Sequence, residues 1–247
     1  KRFIFDATPD FVAQVGDLLS HPVAGAAELT GSVWLEEQLH GIFLTHAHMG
    51  HYAGLVHLGR EAYGSQTTPL YTSPSMGRYL RSNGPWSLLF EGGHLQQLDL
   101  EVGQPLQLSP AISVTPLPVA HRGEFSDTLA FAIQGPRRRV LYLPDIDRWD
   151  GDWLDFAGWL AEYDAVLVDG TFFDGDELPG RGMTAIPHPP FARTLQAIEG
   201  LPRAERSKVL FFHLNHSNPV LDPASPQSAR VRASGARVAW DGMRIEL

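Results

Sequence analysis

A buried strand and a metal site are both predicted by one stretch of the sequence, Gly41-Ile-Phe-Leu-Thr-His-Ala-His-Met-Gly-His51. Its first half is a short apolar run after a glycine, which is typical of a buried strand. His46 and His48, two positions apart, leave the strand end on the same side. His51 follows at the point where apolar residues begin to recur with the spacing of a helix. Imidazoles at such a strand-to-helix turn can converge on one cation, and they suit zinc and other borderline metals. We therefore predict a metal site here rather than a histidine-rich polar loop.

Ligand-type side chains also follow later strands. They are His121 after Ile112–Ala120, Asp145 after Val140–Pro144, and His213 and His216 at the end of Lys208–Leu214, while His188 precedes a predicted helix. An isolated histidine at a strand end is more often part of a hydrogen-bonded core edge than a ligand. Ligand-type side chains at four separate strand ends, however, indicate a site along one edge of a sheet sandwich. Asp169, after Ala165–Val168, fits equally well a carboxylate that orients a liganding imidazole and a turn or helix-capping carboxylate.

Composition excludes several classes of protein. The 247 residues contain no cysteine, which rules out a disulfide framework, a thiolate nucleophile and a cysteine-bound metal. No apolar run approaches the roughly 20 residues of a membrane span. The formal charge of −9, from 28 acidic and 19 basic residues, argues against nucleic acid as the main partner. The lack of cysteine does not indicate whether the protein is located in the cytoplasm or the periplasm. Since we recognise no signal peptide, we expect a cytoplasmic protein.

The order of predicted elements indicates an α+β fold. Strands dominate residues 95–143 and alternating helices and strands follow, with two closing strands at 236–240 and 243–247. A helix after Ser73-Pro74 is predicted from the cap preferences of serine and proline. The strands come first in the chain and the βα units follow, with no linker between them. This order predicts an αββα four-layer sandwich, in which two mixed sheets pack together with helices outside. We expect one domain over residues 1–247.

The histidine motif and the chain's ending resemble the metallo-β-lactamase superfamily of hydrolases, whose site opens with His-x-His-x-Asp-His. Within it, Phe212-His-Leu-Asn-His-Ser-Asn-Pro219, Trp240-Asp-Gly-Met243 and Val168-Asp-Gly-Thr-Phe172 are similar to the coenzyme PQQ biosynthesis protein B group. The cyclic phosphodiesterases of phosphonate breakdown share the Asp-Gly-Met ending. The resemblance covers residues 2–247.

This resemblance implies a set of metal ligands. His46, His48 and His121 would bind one metal, and His51 and His213 a second, with Asp145 bridging the two. His188 corresponds to a histidine of the phosphodiesterase relatives that faces the substrate and can act as an acid or contact phosphate. His216 is a substrate-facing or metal-orienting candidate and a fallback ligand if it points inward instead of His213.

The sequence departs from the family pattern in two ways. Position 50 is glycine where the motif has aspartate, so the second metal loses an anionic ligand and the nucleophilic water loses a partner. Relatives usually also carry further strands and a glycine-rich turn before the equivalent of Lys1, so we expect either that the chain is trimmed at its front or that its first sheet is built differently.

Three functions remain open on this ligand set. The first is a metal-dependent hydrolase with one or two Zn²⁺ (alternatively Mn²⁺), in which activated water attacks an ester, lactone or phosphodiester and His188 or His216 is the acid or oxyanion partner. The second is a Fe²⁺-dependent oxygenase in PQQ-type cofactor biosynthesis, because two histidines and one carboxylate also ligate non-haem iron. The third is a non-catalytic metabolite-binding member. We expect a small-molecule substrate and no membrane partner, and the sequence leaves open whether the chain is a homodimer.

Overall fold

The structure, a computed structural model, describes residues 1–20, 32–174, 177 and 188–247. Its contacts separate two units. Unit 1 comprises Lys1–Ser109 and Arg122–Leu129, and unit 2 comprises Pro110–His121 and Ala130–Leu247. The prediction of one domain over residues 1–247 stays a prediction.

Unit 1 is built on a four-stranded sheet in the order β1-β2-β3-β4. Its strands are β1 (Ile4–Phe5), β2 (Ile42–Phe43), β3 (Thr68–Thr72) and β4 (Leu95–Asp99), and its helices are α1 (Phe11–Leu19), α2 (Ser32–Gln38), α3 (Met49–Tyr52), α4 (Pro74–Ser82) and α5 (Trp86–Glu91), with a 3-10 helix at Ala53–Leu58. All its described pairings are parallel, whereas the sequence led us to expect a mixed sheet. Helical segments separate each strand from the next, and such crossovers return the chain to the same end of the sheet.

The core of unit 1 is apolar and continuous across the sheet and its helices. Fully buried members include Phe11, Leu44, Leu55 and Met76, none of which is exposed to solvent. The run at residues 42–44 is buried because both faces of a parallel sheet are covered. The prediction of a buried strand directly before the histidine motif is thus confirmed.

Helix α4 begins as the serine and proline of its first turn predict. The Ser73 Oγ accepts a hydrogen bond from the Met76 backbone N–H at 3.2 Å and donates one to the Asp127 carboxylate. The cap satisfies one of the amide groups that a helix start leaves without a partner.

We expect Ser73→Ala to lower the free energy of unfolding by about 1–2 kcal/mol, because it removes the cap and a partner of Asp127. Urea unfolding followed by circular dichroism measures the change. Ser73→Thr keeps a capping hydroxyl and should remain within about 0.5 kcal/mol of the parent. Equal losses in the two variants would contradict the role of the hydroxyl.

Unit 2 contains most of a seven-stranded sheet in the order β11-β10-β9-β8-β7-β6-β5. The strands are β5 (Leu106–Ser109), β6 (Ile112–Val119), β7 (Thr128–Gln134), β8 (Arg139–Leu143), β9 (Ala165–Asp169), β10 (Val209–Phe212) and β11 (Arg237–Val238). The helices are α6 (Phe156–Glu162), α7 (Phe191–Ile198), α8 (Arg203–Arg206) and α9 (Pro226–Ser234), with 3-10 helices at Gly151–Leu154 and Pro219–Leu221. Strands β8 to β11 are parallel and β7 is antiparallel to β8, so this sheet is mixed.

Parallel pairing of β8, β9 and β10 puts their carboxyl ends on one edge of the sheet. Leu143 pairs with Val168, and Asp169 pairs with Phe212. The residues that follow these strands are therefore neighbours in space although they are far apart in sequence. Below this edge lies an aromatic core in which the rings of Phe191 and Phe211 stack 3.8 Å apart.

The predicted closing strand at 243–247 is not formed. The described structure there has no regular element, and Met243, Ile245 and Leu247 instead pack on the buried residues Val140, Ala165 and Leu210. The alternation that predicted a strand therefore reflects apolar contacts without strand pairing.

Candidate metal centre

Three histidines lie together in unit 1 where β2 leads into α3. We call His46, His48 and His51 the unit 1 cluster. His46 and His51 are buried, and their rings lie 4.3 Å apart. The arrangement follows from the parallel sheet, since the chain leaves β2 at a buried edge and turns at once into a helix. The structure therefore brings these three imidazoles together within this unit, and their role as metal ligands stays a prediction.

Asp6 orients this cluster and was missed from sequence. It follows β1, the parallel neighbour of β2, and its side chain is buried. One carboxylate oxygen accepts the Thr45 backbone N–H at 2.8 Å, and the other lies 2.8 Å from the His51 Nδ1. A carboxylate on Nδ1 favours the tautomer whose Nε2 can ligate a metal. The signal that could have revealed Asp6 is a carboxylate directly after a strand.

His46 and His48 point ring nitrogens at each other. The His46 Nε2 lies 2.8 Å from the His48 Nδ1, and the His46 Nδ1 lies 2.9 Å from the Thr45 hydroxyl. Tetrahedral zinc with nitrogens near 2.0–2.1 Å places its ligand atoms about 3.3 Å apart. The pair is therefore close to the separation that a shared cation requires.

Glu124 contacts the other face of His48 and was also missed from sequence. Its Oε2 lies 3.0 Å from the His48 Nε2 at the rim of the cluster, where the carboxylate is half-exposed. The pKa of the Glu124 carboxyl lies below its usual value because its own backbone N–H and the His48 imidazole hydrogen-bond to the charged form. Both ring nitrogens of His48 therefore have a polar partner: Nδ1 faces His46 and Nε2 faces Glu124. A histidine that contacts a carboxylate through one nitrogen and binds a metal through the other is common in metal sites.

Gly50, which stands where the family motif has aspartate, is exposed in the first turn of α3. A Cβ built on it would meet no atom within 4 Å. No crowding therefore requires glycine at this position.

Asp145 is the centre of a second group of ligand-type side chains, in unit 2. It follows β8 and is buried. Three imidazole nitrogens surround its carboxylate: the His121 Nε2 at 3.8 Å, the His188 Nδ1 at 3.6 Å and the His213 Nε2 at 3.5 Å. We call Asp145, His121, His188 and His213 the unit 2 cluster. A carboxylate in contact with several imidazoles is chemically suited to bridge or share a cation.

His121 contacts a carboxylate, that of Asp147, which was missed from sequence. The His121 Nδ1 lies 2.8 Å from an Asp147 carboxylate oxygen, and the His121 side chain is fully buried. The Asp147 backbone N–H in turn donates to the Ala120 carbonyl at 2.9 Å, so the two segments are held together. The Nε2 of His121 therefore faces Asp145, as a liganding nitrogen would.

Asp169 combines the two roles that the sequence left open. Its Oδ1 accepts hydrogen bonds from the Thr171 backbone N–H at 2.9 Å and hydroxyl at 2.7 Å, which makes it a turn carboxylate. Its Oδ2 lies 2.7 Å from the His188 Nδ1, which makes it the carboxylate that orients an imidazole. Asp145, Asp169 and His188 also form a set of ligand atoms within 4.8 Å of one another.

His213, rather than His216, belongs to the unit 2 cluster. His213 has a left-handed backbone with φ of 57°, which turns the chain directly after β10, and its Nδ1 lies 3.1 Å from the Thr171 hydroxyl. His216 is exposed, and in the described part of the chain its side chain has no hydrogen bond or ion pair. Its contact with Asp145 favours His213 over His216 as the ligand, which stays a prediction.

Aromatic residues in both units belong to the cores. Phe172 and Phe173 are buried, and Trp86 and Phe90 pack against the unit 1 core. Among the helices that the structure describes, none has the length and apolarity to span a membrane.

Comparison with known proteins shows what this chain is similar to. A family described as beta-lactamase superfamily domain matches residues 1–214. A coenzyme PQQ synthesis protein B of Methylobacterium radiotolerans is 28% identical over 264 residues, covering 99% of this chain and 83% of the relative.

Two solved structures have the same fold. Zn²⁺-bound PqqB from Methylobacterium extorquens superposes with a TM-score of 0.78 at 22% identity, over 99% of this chain and 83% of that one. A diphosphatase from the PhnP family superposes with a TM-score of 0.62 at 18% identity, over 99% and 79%. Together with the family match, they confirm the predicted metallo-β-lactamase fold class.

Proposed function

Because the chain belongs to the beta-lactamase superfamily domain family, we propose that it is a metal-dependent hydrolase. In this proposal, activated water attacks an ester, lactone or phosphodiester of a small molecule. We favour a small molecule over nucleic acid because the chain carries a formal charge of −9. The zinc in the related PqqB structure supports a divalent cation, and we propose one or two Zn²⁺ per chain, with Fe²⁺ or Mn²⁺ as alternatives.

The observation that carries the proposal is that both clusters have the donor chemistry of a metal centre. In unit 1, two imidazole nitrogens lie 2.8 Å apart, and Asp6 contacts the Nδ1 of His51. In unit 2, Asp147 contacts the Nδ1 of His121 while its Nε2 faces Asp145. Burial of so many ionisable groups is costly unless they are paired or bind a metal. The residues therefore fit a cation.

The assignment of ligands follows the family pattern. We propose that the metal ligands are His46, His48 and His51 in the unit 1 cluster, and His121, Asp145 and His213 in the unit 2 cluster. A cation held by such ligands acts as a Lewis acid and lowers the pKa of coordinated water toward about 7. Because Gly50 provides no carboxylate, the unit 1 cluster lacks the anionic ligand that the family motif has at this position.

His188 is our candidate for proton transfer to the leaving group. Asp169 contacts its Nδ1 at 2.7 Å, and the ring is almost fully buried beside Asp145. This contact orients the ring and assigns proton exchange with the substrate to Nε2. His216 was the other candidate, but its exposure and lack of described contacts favour His188.

A second function is supported by the relatives, which are named for coenzyme PQQ synthesis. A Fe²⁺-dependent oxygenase of PQQ-type cofactor biosynthesis would bind iron through two histidines and one carboxylate, and the proposed ligands include residues of both types. Non-catalytic metabolite binding is the third function, and Gly50 is the one residue that favours it.

Elemental analysis of protein purified without added metal separates these functions, when combined with two assays. Zinc or manganese near one or two per chain, with hydrolysis of a p-nitrophenyl ester or bis-p-nitrophenyl phosphate, supports the hydrolase. Iron with substrate-dependent oxygen consumption would replace it with the oxygenase. A chain that retains no metal and hydrolyses neither compound after zinc is added would contradict both enzymatic functions.

We expect Gly50→Asp to raise the metal content of the protein by up to one equivalent per chain. The carboxylate restores the anionic ligand of the family motif, and the space around Gly50 accepts a side chain. Plasma mass spectrometry on dialysed protein measures the stoichiometry. Gly50→Asn, of the same size but without charge, is the control and should add less metal. An unchanged count in Gly50→Asp would show that the aspartate was not the missing element.

We expect Glu124→Ala to weaken metal affinity by about tenfold, because a carboxylate that hydrogen-bonds a liganding histidine raises its basicity and orients its ring. Competition with a chromogenic chelator measures the affinity. Glu91→Ala removes an exposed glutamate of the same unit and should leave the affinity unchanged. Equal affinities of Glu124→Ala and the parent protein would contradict the role of Glu124.

A further inference from the structure

A wide groove in unit 2, apart from both histidine clusters, is lined by three arginines from three helices. Its volume is about 1050 Å³. Arg193 comes from α7, Arg206 from α8 and Arg230 from α9. Glu199 is the one carboxylate among the described lining residues, so the groove carries a net positive charge in a chain whose total charge is −9.

The three arginines have no carboxylate partner in the part of the chain that the structure describes. None of them forms an ion pair there, although acidic residues outnumber basic ones in the chain. The Nε of Arg206 is buried and has no hydrogen-bond partner among these residues. Arg230 lies over the Phe173 ring at 5.7 Å. Guanidinium groups without carboxylate partners can donate to an oxyanion in the groove that they line.

We propose that this groove binds a phosphorylated small molecule of nucleotide size. Guanidinium groups donate in a planar fork that matches phosphate oxygens. The volume is at the upper end of small-molecule sites, which measure roughly 300–1,000 Å³. The lining also provides Gln196 and Ser234 for hydrogen bonds, and Leu195 with neighbouring small apolar residues for contact with a ring. The site is independent of the proposed hydrolase function, because it shares no residue with either cluster.

The test is calorimetric titration of the full chain, stripped of metal with a chelator, with ADP and with inorganic pyrophosphate. Removing metal excludes binding of phosphate to a cation. We expect saturable binding of ADP, weakened about tenfold or more in Arg206→Gln and in Arg230→Gln, because each loses a charge-assisted hydrogen bond. Glu199→Gln should instead tighten binding, because it removes a like charge from the groove.

Arg137→Gln is the matched control, since it makes the same charge change in unit 2 at an exposed arginine paired with Glu246. Its affinity for ADP should stay within about twofold of the parent. Equal weakening in Arg137→Gln and Arg206→Gln would show general electrostatic attraction and overturn the proposal. It is also overturned if neither ADP nor pyrophosphate binds at millimolar concentration, or if hexaglutamate binds more tightly than both. Arg230→Gln lies on an exposed helix position, so its loss of binding can be assessed even if Arg206→Gln fails to fold.

Discussion

Replacing His46 or His121 with alanine is expected to release the bound metal and to abolish turnover. Each residue supplies a buried imidazole to a different cluster, His46 in unit 1 and His121 in unit 2. Either change removes one proposed ligand from its cluster and leaves a position that water fills poorly in a buried site. Plasma mass spectrometry after dialysis should find about a tenth of the parent's metal, or less, in both variants.

The control for this prediction is His57→Ala. His57 lies in the 3-10 helix after α3, and its side chain has no hydrogen bond or ion pair in the described structure. Metal content and activity of this variant should match those of the parent. If His46→Ala lost metal while His121→Ala retained it fully, the proposal would be wrong for the unit 2 cluster, and the unit 1 cluster alone would be the metal site.

Replacing Asp6 with alanine is expected to lower the free energy of unfolding of the metal-free protein by about 3–5 kcal/mol. The Asp6 carboxylate is buried and accepts hydrogen bonds from the backbone and hydroxyl of Thr45, and it contacts the Nδ1 of His51. Alanine leaves these donors without an acceptor in a dry environment. Asp6 also has φ of 61°, a conformation that alanine adopts at some cost. Chemical denaturation in the presence of a chelator measures the loss without a contribution from metal binding.

Two further variants separate the causes of that loss. Asp6→Asn keeps an acceptor for Thr45 and tolerates the left-handed backbone, so it should lose about 1–2 kcal/mol. Asp10→Ala removes a nearby exposed aspartate whose side chain makes no capping hydrogen bond, and it should be neutral. A loss in Asp6→Ala no larger than in Asp10→Ala would contradict the structural role of the carboxylate.

Much of the candidate site could be predicted because its residues stand directly after strands. Strand positions follow from local apolar patterns, and parallel strands bring their carboxyl ends to one edge. His46, His48, His51, Asp145 and His213 were therefore visible as a set. Asp6, Glu124 and Asp147 were missed, because the carboxylates that orient imidazoles carry no spacing motif and are recognised only by what they touch.

The pairing of strands was harder to predict than their positions. The parallel order of the unit 1 sheet depends on which way each crossover returns, and apolar periodicity does not record direction. The expected strand at 243–247 shows a related limit, since alternating apolar residues can pack on a core without forming a strand ladder.

The sequence by itself determined the ligand-type residues, the positions of most strands and the missing carboxylate at Gly50, because these depend on residue chemistry and short-range periodicity. Only the tertiary structure decided that His213 rather than His216 contacts Asp145, that Asp169 serves His188, and that Asp6, Glu124 and Asp147 orient the imidazoles. Each of these depends on contacts between segments far apart in the chain, and a side chain's direction there is set by packing and hydrogen bonding rather than by its neighbours in sequence.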